Sequence, residues 1–174
     1  MAEEYIDVVN YKDEVIGRDL KSQKQVKGFI GRVVAIFIVD SKGKFIIHKK
    51  ASYKNIDPDL YDVSALGHVI SGETYEQAAQ RELKEELNLT CPLQFLDKFY
   101  QEIDHKDKKL KIFCGVFLGI TDQKPQPNHE ISSIIKMDFN EMEEKLRTNP
   151  ELFCQGFAND FNRVKDKLRE IKAK

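Results

Sequence analysis

The chain contains no tryptophan and only 3 cysteines, 3 methionines and 5 prolines in 174 residues. Cys91, Cys114 and Cys154 are odd in number and lie far apart. That excludes a disulfide framework and a paired zinc knuckle, and leaves reduced, mostly buried thiols. Long apolar runs are missing too. The longest aliphatic stretch, Val33 to Val39, falls far short of the ~20 residues that cross a bilayer. The start, Met1 to Tyr5, has no basic region followed by an apolar one, so the expectation is a cytoplasmic protein with no membrane partner. A formal net charge of -1 removes any global field that would draw in nucleic acid. What remains, 41% hydrophobic and 33% charged residues, suits one soluble domain over 1–174 with a real core.

Periodicity organises the chain from its start. "EYIDVVNYKDEVIGRDL" gives two short β-prone runs around a polar turn, an N-terminal hairpin within residues 1–28. "RVVAIFIVDSKGKFIIHKKA" gives two β-branched runs separated by "DSKG", the strongest hairpin signal present. Its first run is apolar throughout and reads as a central strand. "YDVSALGHVI" is a further strand or two, broken at Gly67. Thr74 with Gln77 has capping-box spacing, which starts a helix whose body runs from Tyr75 to about Leu87 with Ala79, Leu83 and Leu87 as its apolar stripe. "LQFLDKFYQEI" and "KLKIFCGVFLGI" make a second hairpin, and "TDQKPQPNHE" a proline-bearing loop. Asp138 with Glu141 opens another helix, and a final one carries Phe157, Phe161, Val164, Leu168 and Ile171 on one face.

The first of these helices carries an electrostatic problem. Glu82, Glu85 and Glu86 fall within an arc of roughly 100° on an exposed helical face. Like charges three and four residues apart cost roughly 0.2–0.5 kcal/mol per pair. Arg81 stands four residues before Glu85, but one guanidinium cannot balance three carboxylates. A hard divalent cation can, and magnesium or manganese takes carboxylate oxygens while bridging to substrate phosphates. Gly67 and Gly72 bracket the turn that leads to Glu73, so a backbone carbonyl and a fourth carboxylate could approach the same point. Asn88 stands where a left-handed cap is expected.

Gly67, Glu73, Arg81, Glu82, Leu83, Glu85, Glu86, position 88 and Leu89 resemble the Nudix box, G-x5-E-x7-R-E-U-x-E-E-x-G-U with U aliphatic. Asn88 replaces the last glycine, which concerns the helix cap and not the metal ligands. The resemblance implies an α+β fold, an α/β/α sandwich with a mixed sheet between helices, formed by residues 29–174 with C-terminal helices and preceded by the hairpin extension. It also implies a Nudix hydrolase that cleaves the P–O–P bridge of a nucleoside diphosphate derivative or related organic pyrophosphate. Glu82, Glu85, Glu86 and the Gly67 carbonyl would hold one to three magnesium or manganese ions, and Arg81 would orient the glutamates. Glu82 or Glu130 would be the general base. Lys50, Lys54 and His68 are candidates for substrate binding, the lysines at phosphate, with strand alternation pointing at most one of Lys49 and Lys50 at a substrate. Tyr53, Tyr61 and Phe153 could stack on a base or a prenyl chain, with core packing the better expectation for each.

The first 28 residues and "KKASYKNIDPDLYDVSALGH" also resemble the type I isopentenyl-diphosphate isomerases of the same superfamily, where a Gly-His pair supplies a metal-binding histidine. His68 occupies that position. Two departures weigh against isomerase chemistry. Leu66 stands at the place of the catalytic cysteine, and Leu110 and Ile112 at that of the catalytic glutamate. Without a thiol and a carboxylate flanking the double bond, no proton can be added and removed. A non-catalytic Nudix binding module is the third reading, disfavoured by the complete glutamate set. The hairpin and the final amphipathic helix could each support a homodimer.

Overall fold

The computed structural model describes residues 3–171. Strands β1 (Tyr5–Val9) and β2 (Val15–Leu20) form a two-stranded antiparallel sheet, the expected hairpin. The lysine-rich stretch after it, read as a polar connection, forms a 3-10 turn and a short helix α1 (Lys24–Lys27), ended by Gly28 at φ 67°.

The main sheet comprises β3 (Gly31–Val39), β4 (Phe45–Lys50), β5 (Tyr61–Asp62), β6 (Ala65–His68), β7 (Leu93–His105), β8 (Lys108–Ile120) and β9 (Ile131–Met137). Its order is β5-β4-β3-β8-β7, with β6 also pairing β3 and β9 pairing β4. β3 and β8 run parallel while the other pairs are antiparallel, so the sheet is mixed as expected. Helix α2 (Tyr75–Leu87) covers one face; α3 (Phe139–Thr148) and α4 (Gln155–Arg169) cover the other.

The alternation of β3 explains why it is apolar at nearly every position. Val33, Ala35, Phe37 and Val39 pack with Phe157, Phe161, Val164 and Leu168 of α4. Val34, Ile36 and Ile38 pack with Ala78, Ala79, Leu83 and Leu87 of α2. A strand buried on both faces has no solvent side on which to alternate polar residues. Each Val, Leu, Ile or Phe among them contributes roughly 1.5–3 kcal/mol when fully buried. Ile171 lies beyond the end of α4 and still packs against the α4-side core.

The strongest hairpin signal is only partly realised. β4 stays paired to β3 at Ile38–Ile46 and Val39–Phe45, then peels away. β6 takes its place against Val33 to Ile36 of β3. Ser64, fully buried, stands at the fork. Its hydroxyl accepts from the Ile38 N–H at 2.7 Å and donates to the Ile46 carbonyl at 2.6 Å, satisfying backbone groups that the split leaves without a ladder partner. The fork between β4 and β6 is where the cleft of the molecule opens.

Candidate active site

Helix α2 brings the glutamates to this fork, and its ends are fixed locally. The Thr74 hydroxyl accepts from the Gln77 N–H at 3.2 Å while the Gln77 side chain accepts from the Thr74 N–H at 2.9 Å, a reciprocal capping box. At the other end Asn88 adopts φ 53° and ψ 33°, the left-handed conformation that asparagine tolerates best after glycine. Asn88 thus caps the helix where the motif has glycine, its N–H donating to the Leu83 and Lys84 carbonyls.

Glu82 lies against β6. A Cβ at Gly67 would come within 1.9 Å of the Glu82 carboxyl carbon, so this position accepts no side chain while Glu82 stays in place. Burial raises the Glu82 pKa; Arg81 opposes the shift and Glu85 adds to it. Glu86 is one turn further on and is buried, not exposed as the bare helical pattern suggests. Its Oε2 accepts from the Leu66 N–H at 3.0 Å. Burial pushes its pKa up to about 8 against that hydrogen bond, with the negative charges of Glu82 and Glu130 adding to the rise. Glu85 remains largely exposed.

Arg81 is clasped from several sides. Its Nε and Nη2 donate to the two Glu73 oxygens at 2.7 and 2.9 Å, its Nη1 to Glu82 at 2.6 Å and Glu85 at 3.3 Å, and its Nη2 also to the His68 carbonyl at 2.8 Å. Glu73 is therefore spoken for: it holds Arg81 and accepts from the Ile70 N–H, and does not join Glu86 in the cleft. The Arg81 guanidinium keeps its pKa below the usual carboxylate range.

The cleft is a small cavity of 60 Å³ lined by His48, Lys50, Lys54, Asp62, Leu66, Glu86, Glu130 and Ile131. The structure thus gathers Lys50, Lys54, Glu86 and Glu130 of the expected set in one place. Burial works against Glu130 ionising, but the Lys54 ammonium bonded to it prevails and holds its pKa low. Lys50 is buried, while Lys49 on the opposite side of β4 is less so. Among the described residues the Lys50 ammonium makes no ion pair.

His68 is not part of the cavity wall. Its Nε2 lies 3.1 Å from the Nζ of Lys24, a buried lysine delivered by α1. Burial, and then the charge of Lys21, lowers the Lys24 pKa to about 7. Lys24, His48 and Asp62 carry no sequence signal that would single them out. Lysine in a stretch without period reads as solvated, and β5 is only two residues long. His48 Nδ1 donates to the Ser64 carbonyl at 3.1 Å, and burial lowers its pKa.

The aromatic candidates divide. Phe153 is buried and packs on Tyr61 with ring centroids 5.8 Å apart, as core packing requires. Tyr53 is instead 61% exposed, because its loop lies over the rim of the cleft rather than against either helical layer.

A glutamate-bearing helix set beside a glycine of a forked mixed sheet, within an α/β/α sandwich, is the Nudix fold. The crystal structure of DR0079 from Deinococcus radiodurans shares it, with a TM-score of 0.77 at 29% identity over 92% of this chain and 99% of that one. The chain belongs to the Nudix family, whose NUDIX domain profile matches residues 30–155. An uncharacterized Nudix hydrolase of Nostoc sp. is 49% identical over 87 residues, 49% of this chain and about half of the relative, 52%. The isopentenyl-diphosphate Delta-isomerase of Serratia proteamaculans is 31% identical over 157 residues, 89% of this chain and 88% of the relative. The branch is thus one that resembles those isomerases. Among the described residues no helix is long and apolar enough to cross a membrane.

Proposed function

We propose that the chain is a divalent-metal-dependent hydrolase that cleaves the diphosphate bridge of a nucleoside diphosphate derivative or a related organic diphosphate. The observation that carries this reading is the pairing of half-buried Glu82 with buried Glu86, two carboxylates with raised pKa on one helix face, beside a glycine that must stay bare. Family membership supports the same reaction class.

The donor set fits magnesium or manganese, being carboxylate and carbonyl oxygen without thiols. Among the described residues no three carboxylate, histidine or thiol groups converge on one point as the side chains stand. Glu82, Glu85 and Glu86 would swing together, with the Gly67 carbonyl, to hold the ion. When bound, such an ion neutralises diphosphate charge and acidifies a water. Arg81 orients Glu82 and Glu85 while Glu73 fixes its fork. Glu130 faces the cavity and is kept ionised by Lys54, so it is the better placed of the two candidate bases to take a proton from the attacking water. Glu82 is bonded to Arg81, lies against Gly67 and does not line the cavity. Lys50 and Lys54 receive the diphosphate oxygens.

The test is to incubate the full chain with magnesium and a panel of nucleoside diphosphate derivatives together with isopentenyl diphosphate. Phosphate-containing products are expected, lost on adding a chelator and lost in Glu86→Gln. Turnover that persists unchanged in that variant would sink the site.

The isomerase reading is kept because a relative of that name aligns along 89% of the chain. Leu66 lines the cavity where that chemistry needs a thiol, and Leu110 and Ile112 supply no carboxylate. An isomerised alkene recovered from the same panel would reverse the order of the two readings.

A further inference from the structure

Two loops meet at the rim of the cleft in matched pairs. Lys54 is ion-paired with Glu130 and both face the cavity. One residue earlier in each loop, Tyr53 lies against His129, with ring centroids 6.3 Å apart and planes 7° from parallel. The Tyr53 hydroxyl donates to the His129 carbonyl at 3.0 Å, and the Ala51 N–H donates to the Glu130 carbonyl at 2.9 Å. The tyrosine ring is therefore tethered at its tip, yet it is 61% exposed.

We propose that the open face of the Tyr53–His129 pair is the stacking platform for the base of a nucleoside diphosphate derivative. The inference rests on the hydrolase reading above and narrows its substrate class. A flat ring fixed before binding offers π-face area at little entropic cost. Bases of every kind stack on such faces. Consecutive Cα atoms are about 3.8 Å apart, so Tyr53 stands next to the lysine that faces the cavity. A base attached to a bound diphosphate through a sugar reaches outward over this rim. A prenyl chain would need an apolar wall. The cavity instead presents charged or polar groups from His48, Lys50, Asp62 and Glu86, with only Leu66 and Ile131 apolar.

The chain has no tryptophan, so Tyr53→Trp introduces a single fluorescent indole on the exposed loop. Saturable quenching of its emission by ADP and UDP is expected, with none from inorganic pyrophosphate or isopentenyl diphosphate. In parallel, Tyr53→Ala should raise KM for nucleoside diphosphate derivatives about tenfold or more, with kcat little changed. Emission that ADP leaves unchanged overturns the platform; if the wild-type chain still hydrolyses nucleoside diphosphate derivatives, the hydrolase reading survives alone. Quenching by pyrophosphate equal to that by ADP also overturns it. Quenching by ADP alone in a chain that hydrolyses none of the panel keeps the platform and removes the hydrolase reading.

Discussion

Arg81 and Glu73 form a two-pronged pair across the turn into α2, Nε to Oε1 at 2.7 Å and Nη2 to Oε2 at 2.9 Å. The pair fixes the plane of a guanidinium whose remaining donors hold Glu82, Glu85 and the strand carbonyl of His68. Glu73 acts on the glutamates only through Arg81.

Glu73→Gln removes one prong and the charge that orients the guanidinium. Partners of this kind typically cost 10–100-fold in metal affinity or activity when lost. A fall of about that size in kcat is expected, with an unchanged circular dichroism spectrum. Wild-type kcat in Glu73→Gln would show that Arg81 needs no anchor.

Gly67→Ala separates fold from function. The added methyl meets the far end of the Glu82 side chain, which can swing aside, and not backbone. Stability should change by no more than about 1 kcal/mol, while magnesium-dependent hydrolysis falls roughly 100-fold. Calorimetric titration with manganese would report the lost affinity directly.

Lys50→Ala probes the substrate side of the cleft. Hydrogen bonds to a charged group are worth about 1.5–3 kcal/mol, so KM should rise roughly tenfold or more. Because Lys50 is buried without an ion pair among the described residues, thermal stability should hold or increase. An unchanged KM would place the diphosphate elsewhere.

The spacing of the glutamate helix was readable because every part of it is local: cap, stripe and carboxylate face all lie within about twenty residues. Asn88 shows the same principle, since a left-handed cap depends on one residue's own sterics. The fork was not readable. "DSKG" promises a full hairpin, and only the arrival of β6, from beyond a ten-residue loop, shows that β4 must leave after two pairs. Ser64, which holds the split, looks in the sequence like any strand serine. Lys24 and Tyr53 reverse their usual burial for the same reason, because what surrounds them comes from distant segments.

Asp160 gives the fold a pH dependence remote from the cleft. It is buried on the sheet-facing side of α4, accepts from Gln101 Nε2 at 2.9 Å, and lies near Cys114 and Asp62. Burial, aided by the charge of Asp62, raises its pKa from 3.8 to about 8. The folded chain therefore keeps a proton that the unfolded chain gives up. Its contribution to stability is complete below about pH 4, declines as pH rises to about 8, and is level beyond. Asp160→Asn should flatten that slope, leaving the variant more stable than wild type at pH 9 by an amount on the order of a few kcal/mol. Denaturant titrations at pH 5 and pH 9 would show it, and parallel slopes in the two proteins would refute it.

The hairpin ahead of the matched domain is wired into it through Asp13, whose carboxylate receives Arg32 from β3, Lys98 from β7 and the hydroxyl of Tyr75 from α2. Cutting the chain at the domain boundary would strand two half-sunken cations and a phenol at the base of the glutamate helix. A chain lacking the hairpin should therefore be less stable, for that hairpin serves as a keystone.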